Sequence, residues 1–199
     1  NLNNRVEKVE DTSRRLAAKS GVVHDEGAEA DGAGGPALPM DAAAVALIEY
    51  KTAHVEADLR TYEEAMRAAT PSVWPVRGNL TDGFGGRYNP FGGYSTEFHA
   101  GQDIATASGT PVAATADGKV IFAGWQNGYG QVVVVDHGGG LTTRYGHLSR
   151  IEAGEGRTVS RGEILGRVGS TGRSTGPHLH YEVRINDDPV NPLRYLPGS

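Results

Sequence analysis

Val132-Val133-Val134-Val135-Asp136-His137-Gly138-Gly139-Gly140-Leu141-Thr142-Thr143-Arg144-Tyr145-Gly146-His147 is the stretch whose reading decides the fold. Four consecutive β-branched valines favour extended backbone. Three glycines supply the backbone freedom of a tight turn. Leu141 to His147 then returns, so the segment predicts a strand, a glycine turn and a strand. The pattern continues on both sides. Val112-Ala113-Ala114 leads to Asp117-Gly118 and then to a strand over Lys119–Trp125, while Gly162–Gly169 and His178–Ile185 add more. No helical period interrupts them. Residues 71–199 therefore read as a mainly β, antiparallel domain whose loops carry any site.

Glycine and charge separate this part from what precedes it. Residues 1–70 hold 8 Lys+Arg and 13 Asp+Glu, leaving 11 of each beyond Pro71. Only five of the 29 glycines lie before residue 71, all between Gly21 and Gly35. Two glycine-free stretches result. In the first, Leu2, Val6, Val9, Ser13 and Leu16 recur at steps of four and three; in the second, Val45, Ile48, Thr52, Val55, Leu59, Tyr62, Met66 and Ala69 do the same. A spacing of about 3.5 residues is the narrow seam of a coiled coil. Asp41 is placed as the N-cap of the second helix, and Thr70-Pro71 ends it, because the residue before proline is pushed out of helical geometry. Residues 21–39, rich in Gly, Ala, Asp and Pro, read as a flexible loop. The expected organisation is a helical arm over 1–70, either a coiled coil that pairs as a homodimer or an αα-hairpin packed on its own domain, followed by the β domain over 71–199.

Composition excludes several functions. With no cysteine, disulfide scaffolds, thiol catalysis and Cys-based metal sites are out. No apolar run approaches the ~20 residues of a membrane span. A net charge of -5 argues against nucleic acid as the partner. Gly118-Lys119 runs into Val120 without the glycines of a phosphate loop, and no Gly-x-Ser-x-Gly elbow occurs. Asn79-Leu80-Thr81 matches a glycosylation acceptor, a pattern short enough to arise by chance. The chain opens at Asn1 without a methionine or a basic start, which raises the expectation of a longer product whose targeting segment has been removed.

Five of the seven histidines lie in the β half: His99, His137, His147, His178 and His180. Without cysteine, a transition-metal site here must use imidazole and carboxylate. His99 and Asp103 are four apart, and on a strand or loop only a bend at Gly101 brings both onto one ion. His178-Leu179-His180 on a strand puts both rings on one face and Leu179 into the core. His147 closes its strand on the face of Thr143 and Tyr145. A single surface histidine is most often only a polar residue. Two imidazoles forced together, however, are costly unless a metal or a proton relay uses them. Two histidines and one aspartate around Zn²⁺ leave a fourth position for water, the open coordination of a catalytic site. The chemistry points to metal-assisted hydrolysis, with His178 and His180 not distinguished.

His99-x-Gly101-x-Asp103, Tyr145-Gly146-His147-Leu148 and Gly169-Ser170-Thr171-Gly172-Arg173-Ser174-Thr175-Gly176-Pro177-His178-Leu179-His180 resemble the lysostaphin-type (LytM-like) zinc metallopeptidases. Ser72–Val76 and Gly83–Arg87 look like that domain's opening, so the resemblance covers roughly Trp74 to Leu196. It implies an antiparallel β fold with a groove whose floor bears one zinc ion per chain, and cleavage of peptide bonds in bacterial peptidoglycan. It also implies His99, Asp103 and His180 as metal ligands and His147 and His178 as catalytic histidines. No metal role attaches to His137, which reads as a turn residue beside glycines. Gln102 stands where an aliphatic residue is more usual and reads as facing outward. Tyr94 lies near, though not at, the place where some members keep an oxyanion-stabilising tyrosine.

The partner implied is the peptidoglycan stem peptide, in the periplasm or outside the cell. The arm resembles envelope-anchored proteins of diderm bacteria, which favours the D-Ala–diaminopimelate cross-link over glycine bridges and implies an inner-membrane anchor upstream of Asn1. The rival of another class is a non-catalytic wall-binding module or activator of another hydrolase. All five positions being filled argues for the enzyme. A purely structural coiled-coil protein fits residues 1–70 but explains none of the three histidine motifs.

Overall fold

The computed structural model describes residues 42–90, 92 and 95–198. Two compact units are distinguished, residues 1–49 and 50–199. The expected helix over 2–16, the loop over 21–39, the cap Asp41 and Tyr94 lie outside the described residues.

Helix α1 spans Ala42–Ala69. It stops where Thr70-Pro71 required, and Thr70 Oγ1 donates to Met66 O at 2.7 Å, satisfying one carbonyl that the helix end leaves open. A second, Ala68 O, accepts from Asp117 N at 2.8 Å. Leu59 and Met66 of the seam are 54% and 48% exposed. The helix and its stripe are present; a coiled-coil pairing has no counterpart among the described residues. No described helix is long and apolar enough to cross a membrane.

The rest is built from strands β1 (Asn79–Leu80), β2 (Gly85–Tyr88), β3 (Thr96–His99), β4 (Gln102–Ala105), β5 (Pro111–Ala113), β6 (Gly118–Gln126), β7 (Gly130–Gly138), β8 (Leu141–Ile151), β9 (Thr158–Val159), β10 (Ile164–Val168), β11 (His178–Ile185) and β12 (Asp188–Val190), ending in a 3₁₀ turn, Pro192–Arg194. The main sheet runs β1-β4-β11-β8-β7-β6-β9, with β10 joining β5 to β8 and β12 lying beside β11. β2 and β3 form a separate hairpin. All pairings are antiparallel, as the sequence implied.

β7 and β8 join where the triple glycine predicted. Gly138 pairs with Leu141, and the two intervening residues, Gly139 and Gly140, have φ of 61° and 81°, as a two-residue hairpin turn of the I′ kind requires. Val132 to Val135 are all buried, so β7 is covered on both faces. Behind the sheet, Tyr145 and Tyr181 are fully buried and spend their hydroxyls on Thr115, with Thr143 hydrogen-bonded to Tyr145.

His137 departs from its expected place in a turn. It lies within β7, buried, with Nδ1 donating to Asp117 O at 2.6 Å and Nε2 hydrogen-bonded to Thr143 Oγ1 at 2.8 Å, which extends the hydroxyl chain. The glycines after it form the turn, and β7 continues one residue past it. Burial, opposed by the Asp117 carbonyl, lowers its pKa.

Candidate metal centre

Two neighbouring strands present the first two donors as a cross-strand pair. His180 on β11 stands directly opposite Asp103 on β4, on one face of the sheet. His99 closes β3 in the small hairpin, and the chain turns through Ala100-Gly101 before β4 begins, the bend that the four-residue spacing demanded. Only glycine fits at 101, since a Cβ there would lie 2.5 Å from Tyr181 O and 2.8 Å from His180 Cε1.

The donor atoms converge. His180 Nδ1 lies 2.8 Å and His99 Nε2 3.2 Å from Asp103 Oδ1, with 3.1 Å between the two nitrogens. One ligand atom from each residue falls within 4.8 Å of the others, and no second such group occurs among the described residues.

The outward nitrogens decide the tautomers. His99 Nδ1 meets Gly83 O at 2.9 Å, and His180 Nε2 meets Glu182 Oε1 at 2.9 Å. Both partners only accept, so both outer nitrogens carry the proton. The inner nitrogens then turn lone pairs toward each other and toward a carboxylate oxygen. Three acceptors at such distances repel unless a cation sits among them, and imidazole plus carboxylate suits zinc. The donor set fits the metal on that chemistry. In the metal-free chain a proton on His180 takes the place of that cation. Against the opposing effect of burial, the carboxylates of Asp103 and Glu182 raise His180 to about 9. Asp103, also despite burial, is held well below the carboxylate range by His180 and His99.

Glu182 and Tyr129 complete the support, and sequence reasoning missed both. Glu182 is 0% exposed and accepts from Tyr129 Oη at 2.7 Å and Arg184 Nε at 2.7 Å besides His180. Burial opposes its charge, yet His180 and Arg184 bring it to about 2. The parity His178-x-His180-x-Glu182 on one strand could have revealed it. Gln102 does not face outward as expected. It is 2% exposed, and its amide donates to Asp82 O and Asp103 O at 2.9 and 3.0 Å, bracing the backbone around Asp103.

His147 reaches the site by a route that simple alternation did not foresee. Tyr145 pairs with Tyr181 on the core side of the sheet, so strict alternation sends His147 there too. Instead the register of β8 against β7 shifts between Tyr145 and Leu148, and His147 takes φ 60°. This β-bulge turns the imidazole to the opposite face, beside His178 and His180, with ring centroids 4.7 and 5.7 Å away. Its Nδ1 donates to Thr171 O at 2.7 Å. Burial, with smaller effects from His178 and His180 and opposition from the Thr171 carbonyl, holds it down to about 4. His178 donates from Nδ1 to Gly176 O at 2.8 Å and keeps Nε2 3.6 Å from Asp103 Oδ2. All five histidines and carboxylates singled out for the site line one open cleft of about 200 Å³, and His137 does not.

An antiparallel β domain with a His–Asp–His donor set on the floor of an open cleft, flanked by two further imidazoles, defines a class of metal-centred β-sheet proteins. Residues 97–192 match the profile of Peptidase family M23, and the chain belongs to that family. It is 50% identical over 114 residues to the DD-carboxypeptidase/endopeptidase Mpg of Neisseria meningitidis, a match covering 57% of this chain and 26% of that one. It is 36% identical over 125 residues to the murein hydrolase activator NlpD of Salmonella typhimurium, covering 62% and 31%. The chain thus spans about a quarter to a third of these relatives' lengths. Among solved structures it is similar to a zinc containing peptidase from Vibrio cholerae (TM-score 0.57, 38% identity, 61% of this chain and 39% of that one). It is also similar to the catalytic domain of lysostaphin from Staphylococcus simulans (TM-score 0.54, 33% identity, 59% of this chain and 91% of that one).

Proposed function

We propose that this chain is a zinc-dependent endopeptidase that hydrolyses the peptide cross-links of bacterial peptidoglycan, cutting the D-Ala–diaminopimelate bond. The observation that carries this reading is the convergence of His99 Nε2, Asp103 Oδ1 and His180 Nδ1, with two non-ligand imidazoles facing them across an open cleft. The likeness to Mpg and to the zinc containing peptidase supports it.

In this reading His99, Asp103 and His180 hold one zinc ion. Zinc bound there supplies a Lewis acid for the scissile carbonyl and acidifies a water. The chain's own residues handle the protons. His147 is neutral at pH 7, with its Nδ1 proton committed to Thr171 O, so Nε2 is the acceptor. His178, committed at Nδ1 to Gly176 O, turns Nε2 into the cleft, where it is placed to pass a proton on to the leaving amine. The cleft's openness suits a polymeric substrate. The protein then works in the bacterial envelope, periplasmic or extracellular, with the inner-membrane anchor expected upstream of Asn1. The exposed seam of α1 pairs with a second copy.

The likeness to NlpD favours a second reading, a non-catalytic activator of another wall hydrolase. That role gives no work to the convergent donors or to the bulge that delivers His147. Digestion of cross-linked muropeptides by the zinc-loaded chain, with the newly exposed amine identified, tests the choice. Cleavage that falls about 10²–10⁴-fold in His147→Ala, with zinc retained, is the expected result. Intact muropeptides, with one zinc bound, would favour the activator.

A further inference from the structure

Beside the metal donors the cleft carries two arginines that approach from opposite walls. Arg87 belongs to β2, and Arg173 to the loop between β10 and β11. They share one carboxylate, Glu97 of β3. Arg87 Nη2 lies 3.0 Å from Glu97 Oε1, and Arg173 Nη1 lies 2.8 Å from Glu97 Oε2. Arg87 Nη1 also pairs with Asp82 Oδ2 at 2.7 Å and sits 3.5 Å from Asp103 Oδ2, so this socket abuts the metal ligands. Arg173 Nη2 donates to Asn89 Oδ1 at 2.9 Å.

The geometry demonstrates that a carboxylate fits between the two guanidinium groups. Forked donors of this kind recognise carboxylate far better than a point charge does. The Arg173 arm of this socket is open to water, its side chain 45% exposed, so that its pair with Glu97 contributes little, while Arg87 holds Glu97 Oε1 from Nε and Nη2 at 3.1 and 3.0 Å. A carboxylate arriving on a substrate can therefore take the place of Glu97 there.

We propose that Arg173 and Arg87 form a subsite for a free carboxylate of the peptide substrate, with Glu97 as the internal ligand it displaces. This rests on the endopeptidase reading above and gives it a basis for selectivity. In a D-Ala–diaminopimelate cross-link, the carbon bearing the scissile amide nitrogen also bears a free carboxylate. A glycine bridge has none there. The subsite selects the first and leaves the second without its anchor.

The test uses the zinc-loaded full chain and two cross-linked peptides that differ only at that carboxylate, free in one and amidated in the other. The free acid should be preferred in kcat/KM by about ten- to a hundredfold, the range of a charge-assisted contact. Arg173→Gln should collapse the ratio toward one. Glu97→Gln should raise kcat/KM for the free acid, since the competitor is weakened. Equal cleavage of both peptides by the unaltered chain would overturn the proposal. So would an Arg173→Gln variant that slows both peptides equally and keeps the ratio, which would make the arginine a mere brace between the walls. If neither peptide is cut, the endopeptidase reading fails instead. Calorimetric titration of the same two peptides then still decides the subsite, and equal affinity for acid and amide would sink it.

Discussion

Replacing Glu182 by glutamine probes the centre without touching a donor atom. The native carboxylate uses Oε1 for His180 Nε2 and Tyr129 Oη, and Oε2 for Arg184 Nε. The amide oxygen of glutamine can keep the Oε1 contacts. Its NH₂ must then face the Arg184 Nε–H across 2.7 Å, donor against donor. Arg144 Nε, 3.8 Å from Oε2 and without a hydrogen-bond partner of its own, loses one of its two counter-charges, while its Nη2 keeps Asp187 Oδ1 at 3.0 Å. Two effects follow. His180 loses a charged acceptor on its outer nitrogen and becomes a poorer ligand, and changes at such supporting partners weaken metal binding by about 10- to 100-fold. The metal-free fold loses a charge-assisted hydrogen bond worth about 1.5–3 kcal/mol, and somewhat more because Arg144 and Arg184 then share only the exposed Asp187 as counter-charge. Zinc affinity is read by competition with a chromophoric chelator, and stability by urea unfolding of the metal-free chain. Tyr129→Phe is the control, since it removes a neutral donor and leaves the carboxylate. Its zinc affinity should change by less than about threefold, well short of the loss at Glu182. A Glu182→Gln chain that is less stable yet binds zinc within twofold of the original would refute the reasoning, because the carboxylate would then be a structural strut with no hold on His180.

Gly101→Ala should damage the same centre by crowding. A Cβ 2.8 Å from His180 Cε1 must displace the ring or the β3–β4 bend, so zinc affinity should fall at least tenfold and stability by about 1–3 kcal/mol. A variant with unchanged chelator competition would show that the close approach is not needed. The metal-free chain should also lose stability between pH 6.5 and about 4. His147, held at about 4, and His137, also lowered, resist protonation when folded, whereas the unfolded chain takes those protons near pH 6.5. The unfolded state thus binds more protons in this window, and stability falls as pH falls, on the order of 2–3 kcal/mol from His147 by pH 4.5. His180, raised to about 9, works the other way at the top of this window, because it is already charged when folded while the unfolded chain is still taking up that proton, but the gain is under about 1 kcal/mol and ends well below pH 6.5. Urea midpoints that stay level from pH 7 to 4.5 would contradict buried neutral imidazoles.

Period-two alternation, glycine turns and three histidine motifs made the antiparallel domain legible in the sequence, together with the residues that the fold gathers in the candidate site. Parity along β11 was enough to place His178 and His180 on one face, and it would have added Glu182. What local pattern could not supply was register between strands. The side of the sheet on which His147 emerges depends on one extra residue in β8 relative to β7, a property of the pair and not of either strand. The inward turn of Gln102 and the burial of His137 depend likewise on backbone carbonyls brought close by the fold, Asp82 O and Asp103 O in one case and Asp117 O in the other.

The bulge at His147 also explains how one sheet serves two incompatible demands. On the core side, β8 and β11 must pack Tyr145 against Tyr181, whose hydroxyls need the buried Thr115 and Thr143. On the cleft side, the same two strands must bring imidazoles together from both. A strictly alternating β8 spaces its cleft-facing residues at Arg144, Gly146 and Leu148, and Leu148 is required in the core. Inserting a residue in the left-handed conformation lets Tyr145 and Leu148 both face inward while His147 faces out, at a strain of order 1–3 kcal/mol. Gly146 just before it leaves room for Tyr129 and His180, whose atoms lie 3.3 and 3.5 Å from where a Cβ would stand. Strain of this kind persists only where the surroundings over-determine it. Here they do so through the hydrogen bonds from His147 N to Tyr129 O and from His147 Nδ1 to Thr171 O, both to backbone and both independent of the metal. The imidazole is therefore aimed into the cleft before any ion binds, which is the preorganisation that the proposed role of proton acceptor needs.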